Sequence, residues 1–386
     1  MTTSALMDTY KRWPLEIESG KGSLLFDPAG RPYIDLVGGI AVATVGHCHP
    51  TVVAAISEQA GRLVHVSNLY ATKPQRLLGE RLAGLTAGKP SFFCNSGAEA
   101  IECALKLVRK WGRTQDRHRV IAAGGGFHGR TFGALSATGQ PSKQEPFAPM
   151  LAGIEHVPFG DAGALESALG DDVAAVLLEP IQGEAGVVVP PPGYLARARA
   201  LCDEHGALLV LDEIQTGLGR TGKWFGYEHD GVEPDVMCLA KALAGGLPMG
   251  ACLATPEVAE TFVPGDHATT FGGGPVQSAA ALATLDVIED EGLIERAAAL
   301  GDYAHARLAE AFGAANVRGR GLLVGIDLGE PVARALAAAA LEAGVLVNDC
   351  TPSVLRIAPP LVISEGELDE GLTVIEKAAG TGGGTR

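Results

Sequence analysis

Short apolar runs, separated by longer stretches with helical periodicity, constrain the fold of this chain more than any other feature of its sequence. Apolar residues between Ile101 and Trp111, for example, recur at the spacing of an amphipathic helix. Five runs have the length and composition of buried strands: Ser91–Cys94, Arg119–Ala123, Val173–Leu178, Leu208–Leu211 and Val236–Leu239. This alternation predicts an α/β fold, with a mostly parallel sheet covered by helices on both faces.

The two ends of the chain have a different pattern, which predicts a second, smaller α+β domain. Residues 21–40 contain two short strand-like runs around a turn at Asp27–Gly30, as in a β-hairpin. After about residue 275 the sequence is helical and alanine-rich, and strand-like segments follow at Gly321–Leu328 and Val354–Ala358. We predict three segments: 1–45, which joins the small domain, 46–275, the large domain, and 276–386, the small domain.

Composition argues against several classes of partner. The 386-residue chain has a formal net charge of −15, which argues against binding of nucleic acid or of an anionic membrane. Its seven cysteines are scattered without a CxxC pair, so we expect reduced thiols in a cytoplasmic protein. We find no secretory signal pattern and no apolar run long enough to cross a bilayer.

The strongest chemical signal is a lysine and an aspartate, each delivered by an apolar strand. Asp212 ends the run Leu208–Leu211, and Lys241 follows Val236–Leu239 among small residues. Desolvation there should lower the pKa of Lys241 and make its amine more nucleophilic. The pair suits an enzyme that holds pyridoxal 5′-phosphate as a Schiff base, because the aspartate can keep the pyridine nitrogen protonated.

Asn95–Ala100 is a candidate anion site, since it follows a predicted strand and opens a predicted helix. Free backbone N–H groups and the positive end of the helix dipole would point at one spot, which suits a phosphate monoester. Alternatively, Ser96 only caps the helix. The sequence alone favours neither.

Two glycine-rich loops follow other predicted strands. Gly124–Arg130 has the GxGxxG spacing of a dinucleotide site, but the acidic strand end expected about twenty residues later is missing, so we reject that interpretation. Phe127 could stack on a flat ring and Arg130 could bind a carboxylate, although a core phenylalanine and a surface arginine are the favoured alternative for this segment alone. Glu179–Gly186 places two carboxylates where open α/β sheets hold their sites, or forms a solvated turn.

The segment His47-Cys48-His49 superficially resembles a metal site. Three adjacent side chains do not converge easily on one ion, and no distant partner stands out. We therefore predict a turn before Pro50 and no metal.

Together, these motifs resemble the class III (ω-amino) aminotransferases of fold type I. The resemblance covers nearly the whole chain and rests on the stretches NSGAEA (95–100), FHGRT (127–131), LEPIQGEAGV (178–187), LDEIQTGLGRTG (211–222) and LAKALAGGLPMGA (239–251). It implies pyridoxal phosphate as cofactor, a large domain with a smaller α+β domain, and a homodimer that shares its active sites. The chain is most similar to the branch that converts N2-acetyl-L-ornithine and 2-oxoglutarate into N-acetyl-L-glutamate 5-semialdehyde and L-glutamate, in arginine biosynthesis.

The resemblance also implies roles for cofactor-binding residues. Lys241 would hold the cofactor and then act as the base, and Asp212 would pair with the pyridine nitrogen. Phe127 would stack on the ring, with Gln215 near the ring hydroxyl. The phosphate would be bound by three residues: Gly97, Ala98 and, from the neighbouring subunit, Thr270.

Four residues are implied to contact substrate. Arg130 would hold the α-carboxylate of the amino donor, and Thr269 would lie beside it. Glu184 would mask Arg356 while the donor is bound, and would swing away so that Arg356 takes the α-carboxylate of 2-oxoglutarate. An arginine neutralised on demand would let one pocket accept two charge patterns.

Two positions depart from the family pattern. Gly274 and Ile101 stand where the family usually has asparagine. Another ω-amine donor is therefore the alternative: ornithine, succinylornithine, a lysine-pathway analogue or 4-aminobutyrate. A non-catalytic sensor of the same fold is disfavoured, because no room remains for a DNA-binding module and the lysine is present.

Overall fold

A seven-stranded sheet forms the centre of the molecule in the computed structural model, which describes residues 5–382. In chain order its strands are β4 (Ser91–Cys94), β5 (Arg119–Ala123), β6 (Ile154–Val157), β7 (Val173–Leu178), β8 (Leu208–Asp212), β9 (Val236–Leu239) and β10 (Gly250–Ala254). Their spatial order is β4-β10-β9-β8-β7-β5-β6. Six strands run in one direction and only β10 runs in the opposite direction, so the predicted mostly parallel sheet is confirmed.

Five of these strands coincide with the predicted apolar runs, whereas β6 and β10 were not predicted. The edge strand β6 exposes Glu155 and His156 and therefore lacks a long apolar run. All of β10 is buried, but three of its five residues are glycine or alanine, which have low strand propensity. Both strands owe their conformation to neighbours in the sheet and not to local sequence.

Helices cover the sheet and continue into the C-terminal region. In chain order they are α1 (Gly38–Ala41), α2 (Pro50–Arg62), α3 (Lys73–Leu85), α4 (Gly97–Arg113), α5 (Phe132–Ala137), α6 (Pro141–Gln144), α7 (Ala162–Ala168), α8 (Tyr194–His205), α9 (Pro256–Ala259), α10 (Pro275–Asp290), α11 (Leu293–Phe312), α12 (Ala333–Glu342) and α13 (Glu365–Gly382). Short 3-10 helices occur at Glu145–Phe147, Gly226–His229, Lys241–Ala244 and Ala314–Asn316. No helix among residues 5–382 is both long and apolar enough to span a membrane.

Helix α4 illustrates how the sequence places a helix against the sheet. Ile101, Leu105 and Val108 lie on one side of it and are buried, consistent with the helical spacing of its apolar residues. At its start the side chain of Ser96 accepts a hydrogen bond from the backbone N–H of Glu99 at 3.2 Å. Ser96 is thus the N-cap, and the helix begins directly after β4.

The remaining strands form two four-stranded sheets. One contains β1 (Ser19–Lys21), β2 (Leu24–Phe26), β3 (Pro32–Asp35) and β13 (Val345–Leu346), and the other contains β11 (Val317–Arg320), β12 (Leu323–Asp327), β14 (Asn348–Thr351) and β15 (Val354–Ile357). The predicted hairpin is the antiparallel pair β2–β3, and β3 pairs in parallel with β13. The boundaries after 45 and 275 stay predictions, and residues 1–4 and 383–386 lie outside the described residues.

Candidate active site

A cavity of about 460 Å³ opens at the carboxyl ends of β4, β5, β7, β8 and β9. These strands are mutually parallel, so the loops that follow them meet at one edge of the sheet. Of the eleven predicted site residues, eight line the cavity: Gly97, Ala98, Phe127, Arg130, Glu184, Asp212, Gln215 and Lys241. Thr269, Thr270 and Arg356 are the other three.

The start of α4 forms one wall of the cavity. The first N–H groups of a helix lack partners within it, and Ser96 satisfies that of Glu99, so the backbone at Gly97 and Ala98 is left facing the cavity. Gly129 brings the loop after β5 close to this wall, because a Cβ there would lie 2.7 Å from Ala98 Cβ. Its φ of +138° also favours glycine. The Ser96 cap therefore does not prevent the backbone at Gly97 and Ala98 from binding an anion.

Lys241 begins the 3-10 helix that follows β9 and lines the cavity. Its backbone has a φ of 30°, in the left-handed region that residues other than glycine rarely adopt. Its Nζ makes no hydrogen bond or ion pair with any residue in 5–382. Burial lowers the pKa of this amine, although the charges of Glu184 and Asp212 act in the opposite direction. Because the amine is desolvated and has no partner among residues 5–382, it is available for reaction.

Asp212 has a partner that the sequence did not reveal. Its Oδ2 lies 2.8 Å from Nδ1 of His128, and its Oδ1 accepts a hydrogen bond from the N–H of Ile214 at 3.0 Å. Burial disfavours the protonated imidazole, but the hydrogen bond and the charge of Asp212, together with Glu179, raise the pKa of His128 overall. The histidine therefore donates to the carboxylate and fixes its orientation, while its buried Nε2 has no partner among the described residues.

Glu179, directly after β7, connects two loops of the site. Its carboxylate accepts hydrogen bonds from the N–H groups of Phe127 at 3.0 Å and Gly183 at 3.3 Å. Burial raises its pKa to about 7, against the opposing charge of His128. The sequence pattern marks this carboxylate as a candidate site residue but does not reveal that it bridges the two loops.

Glu184 and Arg356 form the central ion pair of the site. Arg356, on β15, is 2% exposed, and its Nη1 donates to Glu184 Oε1 at 2.5 Å and to Gln215 Oε1 at 3.1 Å. Its Nη2 donates to Asn348 Oδ1 at 2.7 Å, a contact that was not predicted. Burial raises the pKa of Glu184, but Arg356 more than offsets this and holds it below its usual range. The pair is therefore ionised and the arginine is occupied.

Thr269 and Thr270 lie outside the cavity wall of this chain. The Thr269 hydroxyl accepts a hydrogen bond from Asn95 Nδ2 at 3.3 Å, which links it to the start of α4. Thr270 is exposed. The structure thus places Thr269 behind a lining residue and leaves the hydroxyl-bearing Thr270 on the surface.

The cavity is not lined by the two positions that depart from the family pattern, nor by the segment His47-Cys48-His49. Ile101 is fully buried in α4, and Gly274 is the residue before α10. His47 and His49 turn to different carboxylates: Nε2 of the first lies 2.7 Å from Asp35, and Nε2 of the second lies 3.0 Å from Glu291. Within residues 5–382 no group of three or more His, Cys, Asp or Glu side chains could hold a metal ion.

The residues present fit pyridoxal phosphate. An unpartnered lysine amine, a carboxylate with a buried histidine behind it, a half-buried phenylalanine and a helix N-terminus surround one cavity. They match the aldehyde, the pyridine nitrogen, the ring and the phosphate of that cofactor. Such a site on a mostly parallel α/β sheet defines a pyridoxal-phosphate-dependent transferase.

The chain belongs to the class III aminotransferase family, whose model matches residues 6–379. The acetylornithine aminotransferase of Mycobacterium tuberculosis (strain ATCC 25618 / H37Rv) is 52% identical over 372 residues, which cover 95% of this chain and 92% of that protein. The solved N-acetylornithine aminotransferase of Stenotrophomonas maltophilia K279a has a TM-score of 0.83 and 41% identity, covering 96% of this chain and 97% of its own.

A relative that is named for a different amino donor, ornithine, also has a similar fold. The ornithine aminotransferase of Toxoplasma gondii, crystallised with oxidized glutathione, has a TM-score of 0.92 and 36% identity, covering 97% of this chain and 92% of its own. Pyridoxal phosphate partially occupies the active site of that structure. The predictions of family, fold type, aminotransferase activity and cofactor are confirmed.

Proposed function

We propose that this protein transfers the terminal amino group of N2-acetyl-L-ornithine to 2-oxoglutarate, giving N-acetyl-L-glutamate 5-semialdehyde and L-glutamate. The observation that carries the proposal is the unequal state of two arginines: Arg130 lines the cavity, and Arg356 contacts the lining residues Glu184 and Gln215. Arg356 is held by Glu184, whereas Arg130 makes no ion pair or hydrogen bond with any residue in 5–382. The names of relatives at about half identity support the choice of donor.

The two arginines suit the charge patterns of the two substrates. N2-Acetyl-L-ornithine carries one carboxylate, which Arg130 is free to bind, and its distant amine then reaches Lys241. 2-Oxoglutarate carries two carboxylates, so the second requires Arg356. Release of Glu184 from Arg356 would provide it, because the carboxylate is attached to a glycine-rich loop, Gly183–Gly186.

The remaining residues act around the cofactor. When bound, pyridoxal phosphate supplies an aldehyde that exchanges amines and a ring that accepts electron density. Lys241 would hold it through Nζ and, once released, would move the proton from the carbon that bears the substrate amine. Asp212, oriented by His128, would keep the pyridine nitrogen protonated, and Phe127 would cover the ring. Gly97 and Ala98 would bind the phosphate, and Gln215 would lie beside the ring hydroxyl.

We also propose that the enzyme is a homodimer in which Thr270 reaches the phosphate bound by the neighbouring subunit, with Thr269 near the substrate. Its exposure in the single chain supports this role for Thr270. All seven cysteines are free, which supports a cytoplasmic location. The domain boundaries after 45 and 275 belong to the same proposal.

A half-reaction titration tests the function. Single amines are added to the purified holoenzyme without an acceptor, and the absorbance of the bound cofactor is followed. We expect N-acetylornithine to react rapidly and ornithine and 4-aminobutyrate much more slowly. A faster reaction with ornithine or 4-aminobutyrate would keep the enzyme class but replace the proposed donor.

A further inference from the structure

Two cations, Arg130 and Lys143, lie near the ring of Phe127, which lines the cavity. The Nζ of Lys143 lies 5.3 Å from the ring centroid of Phe127, and Cζ of Arg130 lies 5.7 Å from the same centroid. One aromatic ring at the cavity wall is thus approached by two cations.

Neither cation is neutralised by the protein. Lys143 donates a hydrogen bond to the amide oxygen of Gln140, and neither it nor Arg130 forms an ion pair with a carboxylate in the described part of the chain. Two unpaired cations beside a substrate cavity can bind groups that are anionic or that are strong hydrogen-bond acceptors.

The segment that presents Lys143 is firmly anchored. Gln144, its neighbour in α6, donates through Nε2 to three carbonyl oxygens in the segment 135–138, with the shortest distance 2.8 Å to Thr138. Gln140 Nε2 donates to the carbonyl oxygen of Gly125 at 2.9 Å, in the loop that also carries Phe127. The amine is therefore held near the cavity by the same loop as the proposed carboxylate site.

The charges of two proposed substrate-binding residues act on Lys143. Burial lowers its pKa, repulsion by Arg130 lowers it further, and the charge of Glu184 acts in the opposite direction. Lys143 therefore interacts with two residues that we assign to substrate binding. An anion placed between the two cations would relieve their repulsion.

We propose that Lys143 is a specificity-determining residue: with Arg130 it selects ω-amine donors whose α-nitrogen is acylated, and it favours acyl groups that carry a carboxylate. This inference rests on the proposed function. The α-carboxylate of the donor occupies Arg130, and the acyl oxygen or acyl carboxylate faces Lys143. A free α-ammonium group at the same place would meet two cations and is rejected, because like charges in a partly desolvated site repel.

Binding of unreactive analogues isolates this contact from the chemistry. N-acetyl-L-norvaline and N-succinyl-L-norvaline keep the donor's carboxylate and acyl group but lack its terminal amine. Calorimetric titration of the holoenzyme should show that Lys143→Met weakens the succinyl ligand about fivefold and the acetyl ligand by less. Lys143→Arg should restore most of the succinyl affinity, and Lys21→Met, at an exposed site on β1 away from the cavity, should change neither.

Half-reaction rates complete the test. Lys143→Met should lower kcat/KM for N-acetylornithine but not for ornithine, so that the preference between them narrows about fivefold. If Lys143→Met leaves the ligand affinities and the preference for N-acetylornithine over ornithine unchanged, and the wild-type enzyme uses N-acetylornithine, the role of Lys143 is overturned. The proposed function is then unaffected. Equal losses for all ligands would also overturn the role of Lys143, and a wild-type enzyme that accepts no N-acylated donor would remove the proposed function as well.

Discussion

At the scale of single residues, the site depends on which charged groups have partners. Arg356 is paired with Glu184 at 2.5 Å, and Asp212 is paired with His128 at 2.8 Å. Lys241, by contrast, has no partner in the described chain. The hydrogen bond with His128 fixes the orientation of the Asp212 carboxylate, whereas the unpaired amine of Lys241 is available for reaction, which fits the roles that we propose for these two residues.

Replacement of Glu184 by alanine should shift the enzyme toward its acceptor. Without the carboxylate, Arg356 is free to bind the α-carboxylate of 2-oxoglutarate or glutamate at all times. We expect kcat/KM for glutamate, relative to that for N-acetylornithine, to rise about tenfold. Rates of the two half-reactions, measured separately, check this, with Glu184→Gln as the matched variant that keeps a hydrogen-bond acceptor. An unchanged ratio would contradict a masking role for Glu184.

The sequence could predict residues that act directly at strand ends, but not the partners that support them. Asp212, Glu184 and Lys241 follow apolar strands closely, and that position is visible in one dimension. The contact of His128 with Asp212 depends on the lateral order β5-β7-β8, which brings the loop after β5 to the end of β8. Asn348 was missed because its strand, β14, is half-buried and has no apolar pattern.

At the scale of elements, a buried carboxyl holds the chain that follows β8. Glu213 accepts hydrogen bonds from the Thr216 hydroxyl and from the N–H groups of Gly226 at 3.0 Å and Tyr227 at 2.9 Å. It thereby joins the strand end that carries Asp212 to the 3-10 helix Gly226–His229. Burial outweighs these bonds and raises the pKa of Glu213 to about 7.

This raised pKa predicts a specific pH dependence of stability. The folded-state pKa lies above the ordinary value of 4.5, so the contribution of Glu213 is full below pH 4.5 and is lost as the pH rises to about 7. The glutamine in Glu213→Gln cannot ionise. As the pH rises, this variant should therefore lose up to about 3 kcal/mol less of its free energy of unfolding than the wild-type protein loses. Urea unfolding at pH 5 and pH 8 measures it, with Glu310→Gln, an exposed position, as the control. An equally steep loss in Glu213→Gln would assign the effect to other groups, such as Glu179.

Elements were predictable where the local pattern and the sheet agree. β5, β7 and β9 have the predicted bounds because each is an apolar run buried in the sheet. β10 could not be predicted, because its small residues form a strand only where β4 and β9 leave a gap between them. Propensity describes a strand's own preference, whereas the gap is a property of the assembled sheet.

At the scale of the whole molecule, an exposed apolar patch lies next to the proposed shared residues. Leu69, Tyr70 and Phe271 are 82%, 70% and 62% exposed, and Phe271 adjoins Thr270 in sequence. Asn68 Nδ2 donates to the carbonyl oxygens of Thr269 at 3.1 Å and Gly272 at 3.0 Å, so both segments form one surface. Exposed aromatic and aliphatic side chains grouped in this way are typical of an interface.

A charge on this patch should separate the proposed dimer. Phe271→Asp would bury a carboxylate without a partner, so we expect the mass in solution to fall from twice 39.7 kDa toward that of one chain. Activity should fall with it, because Thr270 would no longer reach the neighbouring site. Light scattering and activity are measured across a range of protein concentrations, with Val332→Asp as a control at another exposed position. A monomeric but fully active Phe271→Asp would contradict the shared site.

The parallel pairing of β3 with β13 has a consequence for how the protein is made. Ile34 is the register partner of Val345, so the sheet that begins near the N-terminus is closed by a strand roughly 310 residues later. At about 5–20 residues per second, a ribosome needs roughly 15–60 s to cover that distance. Throughout this time the nascent hairpin has an open edge, and its partner strand becomes available only after β13 has been synthesised.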